Sequence, residues 1–235
     1  MTQPPATAVI LDMDGLLIDT EPTWRAATFS VLAALGVRLS DDDLLSTTGQ
    51  PIEDLIPRWR RRAGSDGRRA QPGDAEVADL ITDQVVAHVT AEGQPMPGVA
   101  DAVALCTRLG LSLAIASSSP RRLIDAVCDR LGLGGIQVRC SAADEANGKP
   151  APDVYLAAAR RLGVSPASCV AIEDSPNGIA AAKAAGMTCV AIPDPLLTAD
   201  PGYRQADLIL PSLTMLDERA LRLLGVRAPD PRQVP

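Results

Sequence analysis

Apolar residues gather in four short runs, at residues 8–11, 111–116, 169–172 and 188–192, each bounded by polar or turn-forming positions. Continuous apolar runs of this length read as strands buried on both faces, the kind found in parallel sheets. Around them, alanine-rich stretches at 98–109, 119–131, 152–162 and 176–185 carry the 3.6-residue spacing of amphipathic helices. The order beyond residue 98 is therefore αβαβαβ, which predicts an α/β fold with a doubly wound parallel sheet. Residues 22–92 break that rhythm, with helical spacing at 24–35 and 75–89 and no convincing strand between. They read as an inserted helical domain. Its hinges are the segment after Asp19 and the Gly- and Pro-rich stretch 92–98. The expected division is a core of residues 1–19 and 95–225, a helical insert of 20–94 with a polar loop at 63–74, and a loose tail of 226–235.

Composition narrows the class. A chain of 235 residues is long enough for a core domain carrying a smaller inserted one. Aromatic residues make up only 2%, so Ala, Val and Leu must fill the interior. The formal charge of −7 argues against broad binding to nucleic acid or anionic membranes, although a small anion can still be held locally. Five cysteines, at 106, 128, 140, 169 and 189, form no CxxC pair and sit in apolar segments. They are expected as buried thiols in a reducing cytosol, not as disulfides or zinc ligands. The N-terminal residues have no basic region and too short an apolar run for a signal peptide or membrane span, so a soluble cytoplasmic protein is expected. Nothing in the sequence chooses between monomer and homodimer.

The chemistry collects in four places. Asp12-Met13-Asp14-Gly15 follows the first run, so both carboxylates face the crevice at the carboxyl edge of the sheet. One is suited to attack phosphorus and the other to handle the leaving-group proton; an ordinary Asp-Gly turn is the plain alternative. Ser117-Ser118-Ser119-Pro120 follows the second run, with Ser119 placed to cap a helix and Pro120 to begin it. Ser117 and Ser118 stand before that cap, where a hydroxyl and free N–H groups cradle phosphate. Lys149 lies in Asn147-Gly148-Lys149-Pro150 and is one of two lysines in the chain. Its compact charge suits a place between a carboxylate and a phosphoryl group, whereas a solvated loop lysine is the plain reading. Glu173-Asp174-Ser175-Pro176 follows the third run, and acids at buried strand ends are costly unless they bind a cation. Oxygen ligands that must also meet a phosphate point to magnesium. Electrostatics requires such help: two like unit charges 4 Å apart repel by about 4 kcal/mol at an effective dielectric of 20.

The succession DxDG, Ser after the second strand, Lys-Pro, then Glu-Asp resembles the four motifs of the haloacid-dehalogenase superfamily, over about residues 8–224. The resemblance implies a Rossmann-like core with a helical C1-type cap. It implies Asp12 as nucleophile, Asp14 as acid/base, Ser117 as phosphate ligand and Lys149 as the charge-neutralising lysine. Magnesium would be held by Asp12, the backbone carbonyl of Asp14 and Asp174, with Glu173 acting through water. The nearer likeness is to the beta-phosphoglucomutase-like branch. Within it, the stretch from Asp12 to Trp24 resembles the bacterial hexitol phosphatase, or 2-deoxyglucose-6-phosphate phosphatase, group. The implied activity is hydrolysis of a small phosphorylated metabolite, a sugar or polyol phosphate, through an aspartyl-phosphate.

Related activities fit less well. Phosphonate hydrolases of this superfamily need a lysine in the cap, and both lysines here, Lys149 and Lys183, lie outside residues 22–92. Its dehalogenases lack the acid/base carboxylate supplied here by Asp14. Sugar-phosphate mutases typically carry a histidine where this chain has Trp24, and a non-catalytic phosphosugar-binding protein need not have kept every catalytic residue. Glu21 and Trp24 lie at the cap entrance by position and are the candidates for choosing the substrate. The arginines at 58, 60, 61, 62, 68 and 69 read as a solvated face of the insert, and His88 as a surface residue.

Overall fold

The four apolar runs are strands of one sheet in the computed structural model, which describes residues 4–40, 43, 52–62, 72–194 and 198–226. They are β1 (Ala8–Leu11), β2 (Ser112–Ser117), β4 (Cys169–Glu173) and β5 (Thr188–Ala191). Two further strands, β3 (Val138–Ser141) and β6 (Leu208–Ile209), complete a six-stranded parallel sheet in the order β3-β2-β1-β4-β5-β6. Reversal of the strand order at β1 places a crevice at the carboxyl ends of β1, β2 and β4. Alternation along β1 divides the interior in two. Val9 and Leu11 join a large apolar cluster on one face, and Ala8 and Ile10 an alanine-rich cluster on the other.

Four helices of the core follow the predicted patterns with trimmed ends: α4 (Val99–Arg108), α5 (Arg121–Arg130), α6 (Asp153–Leu162) and α7 (Pro176–Ala184), and the short α8 (Glu218–Leu223) comes last. The start of α5 corrects the sequence reading by one residue. Pro120, not Ser119, is the N-cap, with extended backbone at φ −58° and ψ 147°. Ser119 is absent from the cap because its hydroxyl donates to Asp14 Oδ2 instead, at 2.8 Å.

Residues 21–92 contain three described helices: α1 (Glu21–Ala34), α2 (Ile52–Arg62) and α3 (Asp74–Glu92). In α2 the buried residues Ile52, Leu55, Ile56 and Trp59 recur at helical spacing and meet Val77, Ile81 and Val85 of α3 in the large apolar cluster. The chain leaves and re-enters the core side by side, with Ile18 bridged antiparallel to Pro95 and the Met96 N–H donating to the Leu17 carbonyl at 2.9 Å. Helix α3 lies along α5. Arg122 pairs with Asp79 at 2.8 Å and with Asp83 at 3.3 Å, and Arg130 Nε donates to the Gly93 carbonyl at 2.8 Å.

Most of the expected loop at 63–74 and of the expected tail at 226–235 lies outside the described residues. Of the arginine cluster, Arg58 and Arg61 are exposed, and Arg60 binds Asp74 and the Pro72 carbonyl. The side chain of Arg62, together with Arg68 and Arg69, lies outside the described residues. His88 is half exposed and 4.0 Å from Glu92. All five cysteines are free and buried. No described helix is long and apolar enough to cross a membrane.

Candidate active site

Three strand ends and one loop deliver the site. Asp12 follows β1, Ser117 ends β2, and Glu173 ends β4 with Asp174 next in the chain. Lys149, on the loop before α6, reaches across them with a side chain only 6% exposed. Its ammonium donates to Asp12 Oδ1 at 2.5 Å, Glu173 Oε1 at 2.6 Å and the Ala116 carbonyl at 3.0 Å. Those three bonds use every donor the group has.

Glu173 is fully buried and accepts from five donors. Oε1 takes Lys149 and the Tyr155 hydroxyl, the latter at 2.8 Å, while Oε2 takes the N–H groups of Asp174 and Ser175 and the Ser175 hydroxyl. Such close seating needs Gly178 in the first turn of α7: a Cβ there would fall 1.7 Å from Glu173 Oε1. Gly15 plays the matching part for Asp174, since a Cβ would fall 2.0 Å from Asp174 Oδ2 and its φ of +82° also favours glycine. Tyr203 anchors the same loop from behind, its hydroxyl donating to the Asp174 carbonyl at 2.6 Å.

Asp14 accepts from three hydroxyls: Thr20 at 2.5 Å, Ser117 at 2.9 Å and Ser119 at 2.8 Å. Thr20 stands at the N-cap of α1 yet makes no capping bond, because its hydroxyl is turned to Asp14. The Ser117 hydroxyl also accepts from the Ser119 N–H at 2.9 Å, so the residue expected to hold phosphate is here engaged within the cluster. Ser118 is half-buried beside it.

Carboxylate oxygens of Asp12, Glu173 and Asp174 lie within 4.8 Å of one another. Burial, and then the charges of its neighbours, push the Asp12 and Asp174 carboxyls well above their ordinary range, with Lys149 pulling the other way. Burial lowers the Lys149 ammonium, but Asp12 and Glu173 more than offset it and the net shift is upward. One ammonium against three close carboxylates leaves negative charge to be balanced, and an all-oxygen donor set of this kind fits a hard divalent cation.

The structure thus brings Asp12, Asp14, Ser117, Lys149, Glu173 and Asp174 together. Glu21, in the first turn of α1, has its carboxyl raised to about 7 by burial and then by Asp14, with Arg25 opposing. Trp24 is half-buried and packs on the large apolar cluster. Thr20, Ser119 and Tyr155 escape the sequence reading. A hydroxyl at a helix start reads as a cap, and an aromatic among alanines reads as core. Arg25 also escapes it, although its place one turn after Glu21 is a legible signal; its Nε is buried with no hydrogen-bond partner among the described residues.

Residues 6–186 match the family of haloacid dehalogenase-like hydrolases. The chain belongs to that family. It is 39% identical over 216 residues to hexitol phosphatase B of Escherichia coli (strain K12), covering 91% of this chain and 96% of that protein. CbbY from Rhodobacter sphaeroides, solved in complex with phosphate, superimposes with a TM-score of 0.80 at 33% identity, over 92% of this chain and 99% of that one. A mutant of the same protein has been solved in complex with xylulose-(1,5)bisphosphate. Beta-phosphoglucomutase from Clostridium difficile shares the fold, with a TM-score of 0.78 at 20% identity over 94% of this chain and 97% of that one. The family is one of hydrolases, and a phosphatase is among the relatives of this chain.

Proposed function

We propose that this hydrolase is a magnesium-dependent phosphatase acting on a sugar or polyol phosphate through a phosphoryl group carried on Asp12. The observation that carries the reading is Lys149 bound to Asp12 Oδ1 at 2.5 Å, a buried cation set against a carboxylate at the crevice. Asp12 attacks phosphorus, the ester oxygen leaves, and Asp14 supplies that oxygen with a proton. Three hydroxyls hold the ionised form of Asp14 in place, and transfer of the Ser117 bond to the phosphoryl group leaves Oδ2 room for the proton that Asp14 donates. Asp14 then takes a proton from the water that attacks the aspartyl-phosphate, which frees inorganic phosphate and restores Asp12. Ser117, exchanging its bond to Asp14 for one to the phosphoryl oxygens, and Ser118 hold the transferring group, while Lys149 offsets its charge.

Asp12, Asp174 and the Asp14 carbonyl would hold the magnesium ion, which supplies further charge neutralisation for the phosphoryl group. Glu173 would act on it only through water, since both its oxygens are already engaged. The working division is a core of residues 1–19 and 95–225 and a cap of 20–94. Glu21, Trp24 and Arg25 of the cap face the far end of the substrate and choose it. The names of the relatives, a hexitol phosphatase and a protein bound to a sugar bisphosphate, support the substrate class.

The test is phosphate release from a panel of sugar, polyol and nucleotide monophosphates, with magnesium or with chelator, for wild type and Asp12→Asn. Release that needs magnesium, vanishes in the variant and ranks sugar or polyol phosphates first is the expected result. Full activity in Asp12→Asn would overturn the assignment of the nucleophile, and full activity in chelator that of the metal.

A further inference from the structure

Among the buried groups that the proposed reaction leaves unused, Tyr155 is the one tied most closely to it. This residue of α6 is fully buried in the alanine-rich cluster, where phenylalanine would fill the same space without a hydroxyl to satisfy. Burying a hydroxyl is unfavourable unless it is bonded, and this one has a partner of consequence: it donates to Glu173 Oε1 at 2.8 Å. The same oxygen accepts Lys149 at 2.6 Å. The Lys149 ammonium also lies over the Tyr155 ring, 5.1 Å from its centroid. Tyr155 therefore meets the lysine in two ways, through the face of its ring and through the carboxylate oxygen they share.

The surroundings leave Glu173 no freedom to answer a change at Oε1. Three donors hold Oε2, and the absent Cβ of Gly178 marks how tightly the carboxylate is seated. The adjustable member is Lys149, whose other carboxylate partner is Asp12. A hydroxyl on Oε1 draws charge from that oxygen and weakens its hold on the ammonium. We infer that Tyr155 is a positioning residue whose hydroxyl, acting through Glu173, keeps Lys149 committed to Asp12. The inference rests on the reading of Asp12 as nucleophile. Without the hydroxyl the lysine moves toward Glu173, and Asp12 meets the phosphate with its charge less well screened.

Tyr155→Phe isolates the effect, because the ring under Lys149 stays. The expected result is a fall in kcat of about tenfold with KM changed less than about twofold, since Tyr155 touches no substrate and loses one bond to a charged group. A second readout is independent of turnover. The chain has two lysines, so protein carrying 15N-labelled lysine side chains gives two Nζ resonances. One is buried Lys149; the other is Lys183, part-exposed and paired at 2.6 Å with Asp207, the residue before the edge strand β6. In Tyr155→Phe the Lys149 resonance shifts and that of Lys183 does not. A kcat equal to wild type, or a lower kcat with the Lys149 resonance unmoved, would overturn the inference, the second outcome assigning Tyr155 a merely structural role. Should wild-type protein cleave no ester at all, the phosphatase reading fails on its own, and the lysine resonance still decides whether Tyr155 places Lys149.

Discussion

At the scale of single residues, the site depends on side chains that are missing. Gly178 and Gly15 admit the carboxylates of Glu173 and Asp174 to places where a methyl group would overlap them. Gly178→Ala is expected to lower stability by about 2 kcal/mol or more and to remove most activity, as a denaturant midpoint and a phosphate-release assay would register. Glu21 offers a prediction about pH. Its carboxyl is raised from an ordinary 4.5 to about 7, so folding favours the protonated form. The contribution is present below about 4.5 and is lost as pH rises through 7, by an amount of at most about 3 kcal/mol. Melting temperatures of wild type and Glu21→Gln should therefore diverge between pH 5 and 8 by roughly that equivalent, wild type falling relative to the variant. The charged members of the site were legible because strand ends expose their side chains to one crevice, so that order along the chain becomes proximity. Thr20, Ser119 and Tyr155 were not, since their hydroxyls turn toward partners that only the folded chain brings near.

At the scale of elements, the helix starts serve the site and the helices together. Ser175 caps α7 by accepting from the Gly178 N–H at 3.0 Å, and its hydroxyl also donates to Glu173 Oε2 at 3.0 Å. Ser175→Ala should cost about 1–2 kcal/mol of stability, the upper part of the range for a lost cap, because the buried carboxylate loses a donor as well. Urea titration would measure it. Strands β1, β2, β4 and β5 could be read from the sequence since their neighbours bury them on both faces. The edge strand β3 could not. Its Arg139 points to Asp125 at 2.8 Å, which interrupts the apolar run, and β6 has only two residues. The one-residue error at α5 has a similar source: a serine before Pro120 has the signature of a cap whether its hydroxyl turns to the helix or to Asp14.

At the scale of the whole molecule, α3 meets α5 through apolar packing and the Arg122 pairs with Asp79 and Asp83. Exposed pairs of this kind contribute about 0.2–1 kcal/mol each. Arg122→Ala is accordingly expected to leave global stability within about 2 kcal/mol of wild type while speeding amide hydrogen exchange in α3. Unchanged exchange there would mean that the apolar contact seats the helix unaided. The helices α1 and α3 were legible from their spacing, but the packing of α3 on α5 was not, because Arg122, Asp79 and Asp83 look in sequence like any surface charges. The five thiols carry a consequence of a different sort. All five lie in β3, β4, β5, α4 and α5, and none in residues 20–94. Burial raises those of Cys106, Cys128 and Cys169 to about 11, and those of Cys140 and Cys189 are raised as well, so the native protein presents almost no thiolate to an alkylating reagent. Alkylation must wait for the sheet and its flanking helices to open. The chain thus carries its own reporter of opening, in which the rate of modification counts excursions of the sheet and the helices that flank it.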